Sequence, residues 1–501
     1  MANKNQFLIG ALTAKPYAFK ARPWELKSVE TIDLFESLNS NIRVDIRGSD
    51  VMRILPLNNE FLNEEWISDK TRHAYDGLKR RRFVNPMLKK NNFFLTTSWK
   101  EIIFEIKNTL QNRIFNNYII NTGNFNDFEN LTALENFKNN FSRININNND
   151  LLNVDFSSNY LIDHSLLKPI GSKVFLFIGT NLRLENPVLN IRFKKLAQSE
   201  KILIGYIGPK YNYNLNMTHI GNTINILKKI FEAKHSFATL ALMFSKKTNK
   251  NTKLKAVLRN NISLFFGSDF ENQFEKNTII SFLKDVKFPK ITFNINVLKK
   301  YNGIINAAEL GLYNTKKNYS ANNNFVYLCG SESYVKKEND FIVFQGHHNE
   351  KVKTEFDIIL PSSTWLEKQA LFMNCFGVIQ KSKSIILPPL NVRNDWRITE
   401  MLNRVYHQNS KFYQNVNDIH YRLNQLSPNL TNSLNIYKDS YQRDLDIDIK
   451  KTTTRKIRFS TMPFKTIISN YYQTSAVEKA SKIMHSCALE LNNKKNNFLK
   501  F

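Results

Sequence analysis

A group of polar residues stands directly after the most apolar segment of the chain. Positions 174–178 are all apolar, and Gly179, Thr180 and Asn181 follow them, with Arg183 close behind. Such a run is typical of a strand buried on both faces of a parallel sheet, and ligands of open α/β sheets bind at the carboxyl ends of such strands. These residues are therefore candidates for a cofactor site. On spacing alone, a plainer interpretation is favoured, in which Gly179 turns the chain and Asn181 caps the next segment.

A pair of histidines, His347 and His348, follows another apolar segment at 341–346. Successive side chains of a strand point to opposite faces, so adjacent histidines are not expected to bind one metal ion together. The surrounding sequence does not indicate the cysteine or carboxylate partners that a zinc site needs. We therefore predict a structural role for the pair, and no metal site.

Other catalytic and ligand-binding motifs are missing from the sequence. It contains no G-x-G-x-x-G, G-x-x-x-x-G-K-[ST], H-E-x-x-H or G-x-S-x-G pattern, which argues against common dinucleotide, nucleotide triphosphate, zinc-protease and serine-hydrolase sites. The cysteines, Cys329, Cys375 and Cys487, lie far apart and form no C-x-x-C pair, so no zinc site or cluster-binding run is encoded. Sparse, unpaired thiols suit a reducing compartment.

A recurring pattern indicates the elements that position these residues. Short apolar runs that end on glycine or another small residue predict strands at 118–120, 173–179, 202–208, 262–267, 325–330 and 341–346. Segments of helical length, such as 223–232 and 304–311, separate them. Because strands that alternate with helices imply βαβ units, the predicted fold class is α/β with one or two open parallel sheets.

Two capping boxes and one amphipathic segment predict further helices. The patterns Ser98-Trp99-Lys100-Glu101 and Thr364-Trp365-Leu366-Glu367 are typical of helix starts. The segment from 395 to 408 also favours a helix. Beyond 435 the chain is polar with weak periodicity, which predicts a loosely packed, partly helical tail.

Residues 28–92 are predicted to form a small β-rich domain. Apolar and charged residues alternate over 41–47, turn residues follow, and 51–55 suggests the returning strand of a hairpin. The charged segment 64–72 then fits equally well a solvated helix with one aromatic anchor, Trp66, or a surface for subunit docking.

The positive charge balance suggests three kinds of partner: nucleic acid, a membrane surface or acidic protein neighbours. The formal net charge is +28, from 71 basic and 43 acidic residues. The basic residues are scattered, and Lys79-Arg80-Arg81-Arg82 is the densest cluster, whereas a nucleic-acid binder concentrates them on one stripe with aromatic platforms. We therefore predict no nucleic acid as a partner. No apolar run approaches the length of a membrane span, so membrane contact is expected only through partners.

Several segments together resemble the largest iron–sulfur subunit of respiratory complex I, NADH:ubiquinone oxidoreductase. They occur in that family's order, at 10–44, 51–82, 173–195, 341–374, 395–398 and 422–430. The resemblance implies molybdopterin-oxidoreductase-like α/β domains over 93–434. They would follow a linker at 1–27 and the small domain at 28–92, and precede a C-terminal tail at 435–501.

The resemblance also shapes the expectations about iron–sulfur clusters. In the family, the cysteine that ligates the last cluster of the preceding iron–sulfur domain stands at the position of Phe7, and phenylalanine cannot coordinate iron. In related molybdopterin enzymes the region matching 28–92 can hold a four-cysteine cluster, and here it has no cysteine. We expect no cofactor in this chain, a separate chain that carries the iron–sulfur domain, and iron–sulfur clusters and FMN in partner subunits.

The pterin site that the resemblance implies is degenerate in this sequence. The family's Asn-Thr-Glu-Gly-Arg corresponds to Asn374-Cys375-Phe376-Gly377-Val378, which lacks both charged groups, including an arginine suited to phosphate. Leu182 stands where the family usually has proline. We expect a vestigial cleft without pterin, metal or catalysis, lined by the candidates Gly179, Thr180, Asn181, Arg183, His347 and His348.

The function that the resemblance implies is structural. The chain is expected to be a scaffold subunit of the peripheral, matrix-side arm of complex I at the mitochondrial inner membrane, with other peripheral-arm subunits as partners. The basic first 24 residues mimic a mitochondrial presequence, but family-like sequence already begins at Gly10, so organelle encoding is expected. The alternatives are a molybdopterin redox enzyme with an intact site and a basic nucleic-acid-binding protein.

Overall fold

The structure is a computed structural model, and its elements are described for part of the chain. The described residues are 14–139, 144–147, 160–163, 174–200, 202–211, 214–231, 234–237, 262–271, 293–312, 322–331, 334–348, 355–406, 412–428, 430 and 462–498. Phe7, Gly10 and the tail residues 435–461 lie outside them. Among the described helices, none is both long enough and apolar enough to span a membrane.

The N-terminal region is β-rich, as predicted, and contains a three-stranded antiparallel sheet that includes the predicted hairpin. Its strands pair in the order β1-β2-β3, and Gly48, at φ +61°, lies in the turn of the β2–β3 hairpin. Inward-facing apolar residues such as Ile32, Val44 and Ile54 form its core. The strands are β1 (Lys27–Ile32), β2 (Asn41–Arg47) and β3 (Asp50–Pro56).

The charged segment after this sheet forms only a short helix, α1 (Asp69–His73), whose first turn is capped by the Ser68 hydroxyl. The solvated helix expected for 64–72 is wrong in one respect, because Lys70 is buried. Its ammonium donates to the Thr474 hydroxyl at 2.8 Å and lies 3.6 Å from the Glu478 carboxylate. The C-terminal segment therefore covers this helix.

A seven-stranded sheet forms the main body, in the order β5-β4-β15-β14-β13-β6-β7. Its pairs are parallel except where β4 joins β15 and β5. The strands are β4 (Met87–Lys90), β5 (Phe93–Thr96), β6 (Asn117–Thr122), β7 (Ile144–Asn147), β13 (Asn324–Cys329), β14 (Phe341–Gly346) and β15 (Ile358–Pro361).

A five-stranded parallel sheet lies between β7 and β13 in the sequence, in the order β10-β9-β8-β11-β12. Its central strand is buried on both faces, as predicted. Phe175 and Phe177 point into one core cluster and Val174, Leu176 and Ile178 into another. The strands are β8 (Val174–Ile178), β9 (Leu203–Ile207), β10 (Thr218–Gly221), β11 (Ile262–Phe266) and β12 (Phe293–Val297).

Helices flank both sheets. The capping box predicted at Ser98 is confirmed, because its hydroxyl accepts from the Glu101 N–H while the Glu101 carboxylate accepts from the Ser98 N–H. The helices from α2 to α9 are α2 (Trp99–Asn112), α3 (Phe128–Asn139), α4 (Leu182–Glu185), α5 (Pro187–Ser199), α6 (Asn225–Phe231), α7 (Ser268–Glu271), α8 (Asn302–Glu309) and α9 (Asp395–Tyr406).

The helix predicted to start at Thr364 does not form. The Glu367 carboxylate does accept from the Thr364 N–H at 2.8 Å, as in a capping box, but the chain only turns there. Glu367 also pairs with Arg82 at 2.5 Å, and Lys368 is drawn into a buried ion cluster. The chain then enters a short hairpin of strands β16 (Leu371–Met373) and β17 (Ile379–Lys381).

The helix α10 (Val416–Leu426) precedes the C-terminal tail, and the described part of the tail is partly helical, as predicted, with α11 (Ala476–Ala480) and α12 (Lys482–Phe498). It is not loosely packed over 462–492. Phe464, Val477 and Met484 are at most 4% exposed. Val477 and Met484 join the core of the N-terminal domain, so this segment packs on its own chain.

Candidate functional site

Protein atoms fill the carboxyl end of β8. The Gly179 carbonyl accepts from the Asp269 N–H at 3.0 Å, which joins this turn to the one after β11. Gly179 has φ +54°, and a Cβ there would lie 2.7 Å from the Phe270 nitrogen and 3.0 Å from the Phe464 ring. The position therefore demands glycine, and protein atoms occupy the space that a side chain would take there.

Glu185, which the sequence interpretation missed, ties the two turns together. Its carboxylate accepts from the Asn181 N–H at 2.8 Å and from the Ser268 N–H at 3.2 Å. Burial raises the pKa of this carboxyl to about 7, although both N–H groups oppose the shift. The signal available beforehand was only a glutamate four residues after Asn181, which is too common to single out.

The polar candidates around β8 have different surroundings. Thr180 and Asn181 are buried, whereas Arg183 is exposed. The Asn181 side chain makes no capping hydrogen bond to α4. The cap of the following helix is Asn186, whose side chain accepts from the Leu189 N–H at 3.2 Å. Asn181 therefore stands at the N-cap position of α4, as predicted, but its side chain does not cap the helix.

The carboxyl edge of the seven-stranded sheet differs, because it borders a cavity of about 250 Å³. Residues that follow four parallel strands line it, as expected at this edge. They include Gly123 after β6, Ser331 after β13, His347 and His348 after β14, and Ser363 after β15. The structure thus separates the candidate residues into two groups. The two histidines line this cavity, and Gly179, Thr180, Asn181 and Arg183 do not.

The two histidine side chains were predicted to point to opposite faces of the strand, but the structure places their rings in contact. Their Nδ1 atoms lie 2.8 Å from each other, because β14 ends at Gly346 and strand alternation no longer governs the next two residues. His348 also contacts the Gly77 carbonyl through Nε2 at 3.0 Å. Burial and the charge of Arg82 lower the pKa of His348 to about 3, and burial with the charge of His348 lowers the pKa of His347 well below its usual range. Both rings are therefore neutral near pH 7.

A buried ion cluster lies at the floor of the cavity. The Lys368 ammonium pairs with the Asp127 carboxylate and with that of Asp395 at 2.5 Å. Burial alone lowers the pKa of Lys368, but the two carboxylates outweigh it and raise that pKa overall. Gln345 donates to Asp395 at 3.0 Å and holds the cluster against β14. Sequence spacing could not reveal it, because Asp127 is more than 200 residues away from Lys368 and Asp395 in the chain.

One C-terminal segment reaches both sheet edges. Near Gly179, Phe464 donates its N–H to the Asn222 carbonyl at 3.1 Å, and the Ile467 N–H donates to Asp269 at 2.8 Å. Further along, Thr474 and Ser475 line the cavity beside the histidines. The same segment therefore closes one edge and borders the other.

The degenerate turn at 374–378 joins β16 to β17; Asn374 and Cys375 are buried, and the other three residues are half-buried. The Asn374 side chain accepts from the N–H groups of Phe376 and Val378, at 3.0 and 2.9 Å. Cys375 is fully buried, and burial raises the pKa of its thiol to about 12. Across the described residues, no group of three or more histidine, cysteine or acidic side chains is arranged to hold a metal ion.

Comparison with known families identifies the class first. A family model described as molybdopterin oxidoreductase matches residues 82–405, a range that contains both parallel sheets. The fold and its two strand-end edges are thus those of that class.

The relatives define a narrower family. The NADH-ubiquinone oxidoreductase 75 kDa subunit of Reclinomonas americana is 34% identical, over 96% of this chain and 71% of the relative. The mitochondrial NADH dehydrogenase [ubiquinone] iron-sulfur protein 1 of Solanum tuberosum is 31% identical, over 96% of this chain and 64% of its own length. The 78 kDa subunit of Candida albicans is 30% identical, over 96% of this chain and 66% of its own length. The chain belongs to this family of complex I subunits.

One expectation about iron–sulfur clusters is overturned. A family model described as the NADH-ubiquinone oxidoreductase NDSU1/NuoG-like 4Fe-4S domain matches residues 26–76, within the small β-rich domain. The prediction that this chain lacks an iron–sulfur domain and a cofactor of that class is therefore wrong, and a separate chain for that domain is not supported. The matched residues contain no cysteine and one histidine, His73, so they do not supply the four thiolates of a common [4Fe–4S] site.

Proposed function

We propose that this chain is a structural subunit of the peripheral arm of NADH:ubiquinone oxidoreductase, where it supports the electron-transfer module without catalysing a reaction at its sheet edges. The names of the relatives support the assembly. The filled edge at Gly179 supports the structural role, because protein atoms lie where a ligand of an open sheet would bind. This filled edge is the observation on which the proposal rests.

The lost pterin contacts agree with that role. The turn at 374–378 carries no charged side chain, and its Asn374 side chain is used to accept hydrogen bonds within the turn. The histidines beside the remaining cavity are neutral, and Lys368 is already paired with two carboxylates. Among the described residues that line this cavity, none offers an unpaired cation to the phosphate of a pterin dinucleotide.

The proposal includes partners and a location. Other peripheral-arm subunits are the partners, and the membrane is reached only through the complex. The names of several relatives include the word mitochondrial, which supports a mitochondrial protein. We also propose that the protein lies on the matrix side of the inner membrane and is encoded in the organelle. The proposed division of the chain is a linker at 1–27, a small β-rich domain at 28–92, α/β domains at 93–434 and a tail at 435–501.

Purification of the native assembly tests the proposal. Membranes from cells that carry a tagged full chain would be solubilised and separated on a native gel. We expect the tag to migrate with NADH:ubiquinone oxidoreductase activity and with other complex I subunits identified by mass spectrometry. Recovery of the tag as a free monomer, apart from that activity, would contradict the assignment.

A pterin measurement on the same sample addresses the redox-enzyme alternative. Oxidative release converts molybdopterin to a fluorescent derivative, and molybdenum is measured by mass spectrometry. We expect neither in a stoichiometric amount. One pterin per chain would establish the redox enzyme in place of the structural subunit.

A further inference from the structure

A groove lies between α2 and α9, on a surface that the proposed function does not use. Its volume is about 480 Å³, and the two helices pack directly against each other along it. Ile103 and Phe104 of α2 and Met401 and Val405 of α9 line it. Phe104 is 62% exposed, so its ring is accessible beside the other apolar side chains of the groove.

Four cations surround this apolar floor. Lys100 and Lys107 lie at the two ends of the α2 face, and Arg393 and Arg404 lie on the α9 side. The Arg393 guanidinium stacks 4.7 Å from the centre of the Trp99 ring, and Arg404 donates to the Tyr413 carbonyl at 3.0 Å. Burial and the nearby charge of Arg397 lower the pKa of Arg393.

Within the described part of the chain, none of these four cations forms an ion pair with a carboxylate. Arg404 is partly balanced from its own helix, because burial raises the pKa of the Glu400 carboxyl and the charge of Arg404 opposes that rise. The acidic residues of α2 do not neutralise the two lysines. Glu101 caps its own helix, and Glu101 and Glu105 lie roughly 100° or more around α2 from the groove face, as the helical repeat requires. The groove is therefore apolar in the middle and positive on both sides.

We infer that this groove binds an acidic amphipathic helix of another subunit, a step that rests on the proposed function and specifies one of its partners. A helix in a groove uses apolar anchors one turn apart, and the exposed Phe104 ring and the half-buried Val405 side chain offer the matching contacts, while the Met401 sulfur accepts from Arg393. Lys100 and Lys107 are seven residues apart on α2, which is about 10 Å along the axis. The bound helix therefore carries acidic residues about two turns apart on each side of an apolar stripe.

Charge complementarity favours a protein helix over other anionic partners. The groove is short and has an apolar floor, whereas a nucleic acid would need a longer positive track with bases stacked on aromatic faces. The Trp99 ring is already covered by Arg393, so it does not offer such a face. A protein helix uses both the floor and the rim.

A binding assay with the purified full chain tests the inference. The probe is a synthetic helical peptide with leucines on one face and glutamates two turns apart, and its matched control has glutamine at each glutamate. We expect the acidic peptide to bind at least about tenfold more tightly than the glutamine peptide, with affinity that falls as salt rises, because rim charges act through screened attraction. Equal affinity of the two peptides, or no binding of either, would overturn the inference.

Variants locate the binding site. Lys100→Glu combined with Lys107→Glu should lower the affinity for the acidic peptide at least about tenfold, since like charges then face each other across the rim. Lys100→Gln with Lys107→Gln should give an intermediate loss with less risk to folding. Lys194→Glu with Lys383→Glu, two exposed positions elsewhere, should change nothing. Tighter binding of an oligonucleotide or of phosphatidylserine vesicles than of the peptide at this groove would replace the helix with that partner.

Cross-linking in the native assembly identifies the occupant and separates this inference from the proposed function. A photoreactive phenylalanine analogue at position 104 should capture one acidic helical segment of another subunit, and the same analogue at exposed position 93 should not capture that segment. Capture of a neutral or basic segment, or of none, in a chain that still assembles would defeat the groove inference alone. Failure of the unmodified chain to assemble would instead defeat the proposed function.

Discussion

In both large sheets, the carboxyl ends of the parallel strands form the edge where a ligand of an open α/β sheet would bind. One of these edges is filled by protein atoms, and the other borders a cavity. At β8, a glycine turn is pressed between Phe270 and Phe464, and Glu185 links it to the neighbouring turn. At β14, the strand ends at a cavity of about 250 Å³ beside two histidines and a buried lysine. Both edges have the same sequence signature of an apolar run, a glycine and polar residues. The comparison therefore teaches that this signature locates a strand end, and that segments distant in the chain decide whether it is filled.

The largest effect is expected from removing the buried cation beside the cavity at the open edge, the edge at β14. Lys368→Met should lower the free energy of unfolding by about 3–5 kcal/mol, because it leaves the Asp127 and Asp395 carboxylates buried without a counter-charge. Denaturant titration of the full chain measures the effect. Lys383→Met, at an exposed position, is the control and should stay within about 0.5 kcal/mol of the unaltered chain. Similar stability of the two variants would show that the cluster does not hold the open edge together.

The closed edge should depend on the aromatic ring that covers it. Phe464→Ala should cost about 3 kcal/mol, since Phe464 is 4% exposed and its removal leaves a cavity above Gly179. Hydrogen exchange of the β8 amides should accelerate in this variant. Phe93→Ala, where the ring is 72% exposed, serves as the matched truncation and should leave those amides unchanged. Equal protection of β8 in both variants would mean that this ring does not close the edge.

Two glycines provide a direct comparison of the edges. Gly179 and Gly330 have similar backbone angles, φ +54° and +66°, but a Cβ at Gly330 would meet no atom within 4 Å. Gly330→Ala should therefore cost only the backbone penalty of about 1–2 kcal/mol. Gly179→Ala should cost about 1 kcal/mol or more beyond that, because the new methyl group meets the Phe270 backbone and the Phe464 ring. Thermal unfolding of the two variants gives the order, and the opposite order would contradict the filled edge.

Much of the fold could be predicted because its signals are local. The apolar runs at β6, β8, β9, β11, β13 and β14 and the capping box at Ser98 depend on neighbours in the sequence, and all of them form the elements expected. The Thr364 capping box did not lead to a helix, because Glu367 pairs with the distant Arg82 and Lys368 belongs to the buried ion cluster. Local patterns predict an element only where no stronger tertiary contact competes.

The site could be predicted only in part, for the same reason. The six candidate residues were each placed at a strand end, yet the sequence could not show that they belong to two sheets. The contact between the rings of His347 and His348 depends on where β14 stops, and the covering of Gly179 depends on a segment nearly 300 residues later. Asn181 and Glu185 form a backbone-to-carboxylate contact that has no distinctive spacing.

The smallest effect expected is a pH dependence specific to the closed edge. Burial raises the pKa of Glu185 to about 7, above its ordinary value of 4.5, so the folded state holds this proton more tightly than the unfolded state does. The group therefore contributes a stability that declines as pH rises, by about 1–2 kcal/mol between about pH 5.5 and about pH 7. Glu185→Gln keeps one amide oxygen for the Asn181 N–H and has no charge to bury. The stability difference between the two chains, measured by denaturant titration across this range, should shift in favour of the variant as pH rises. Glu30→Gln, at an exposed position, should show a flat difference. A flat difference for Glu185→Gln as well would mean that water reaches this carboxylate, and the contrast between a filled edge and an open edge would then be lost.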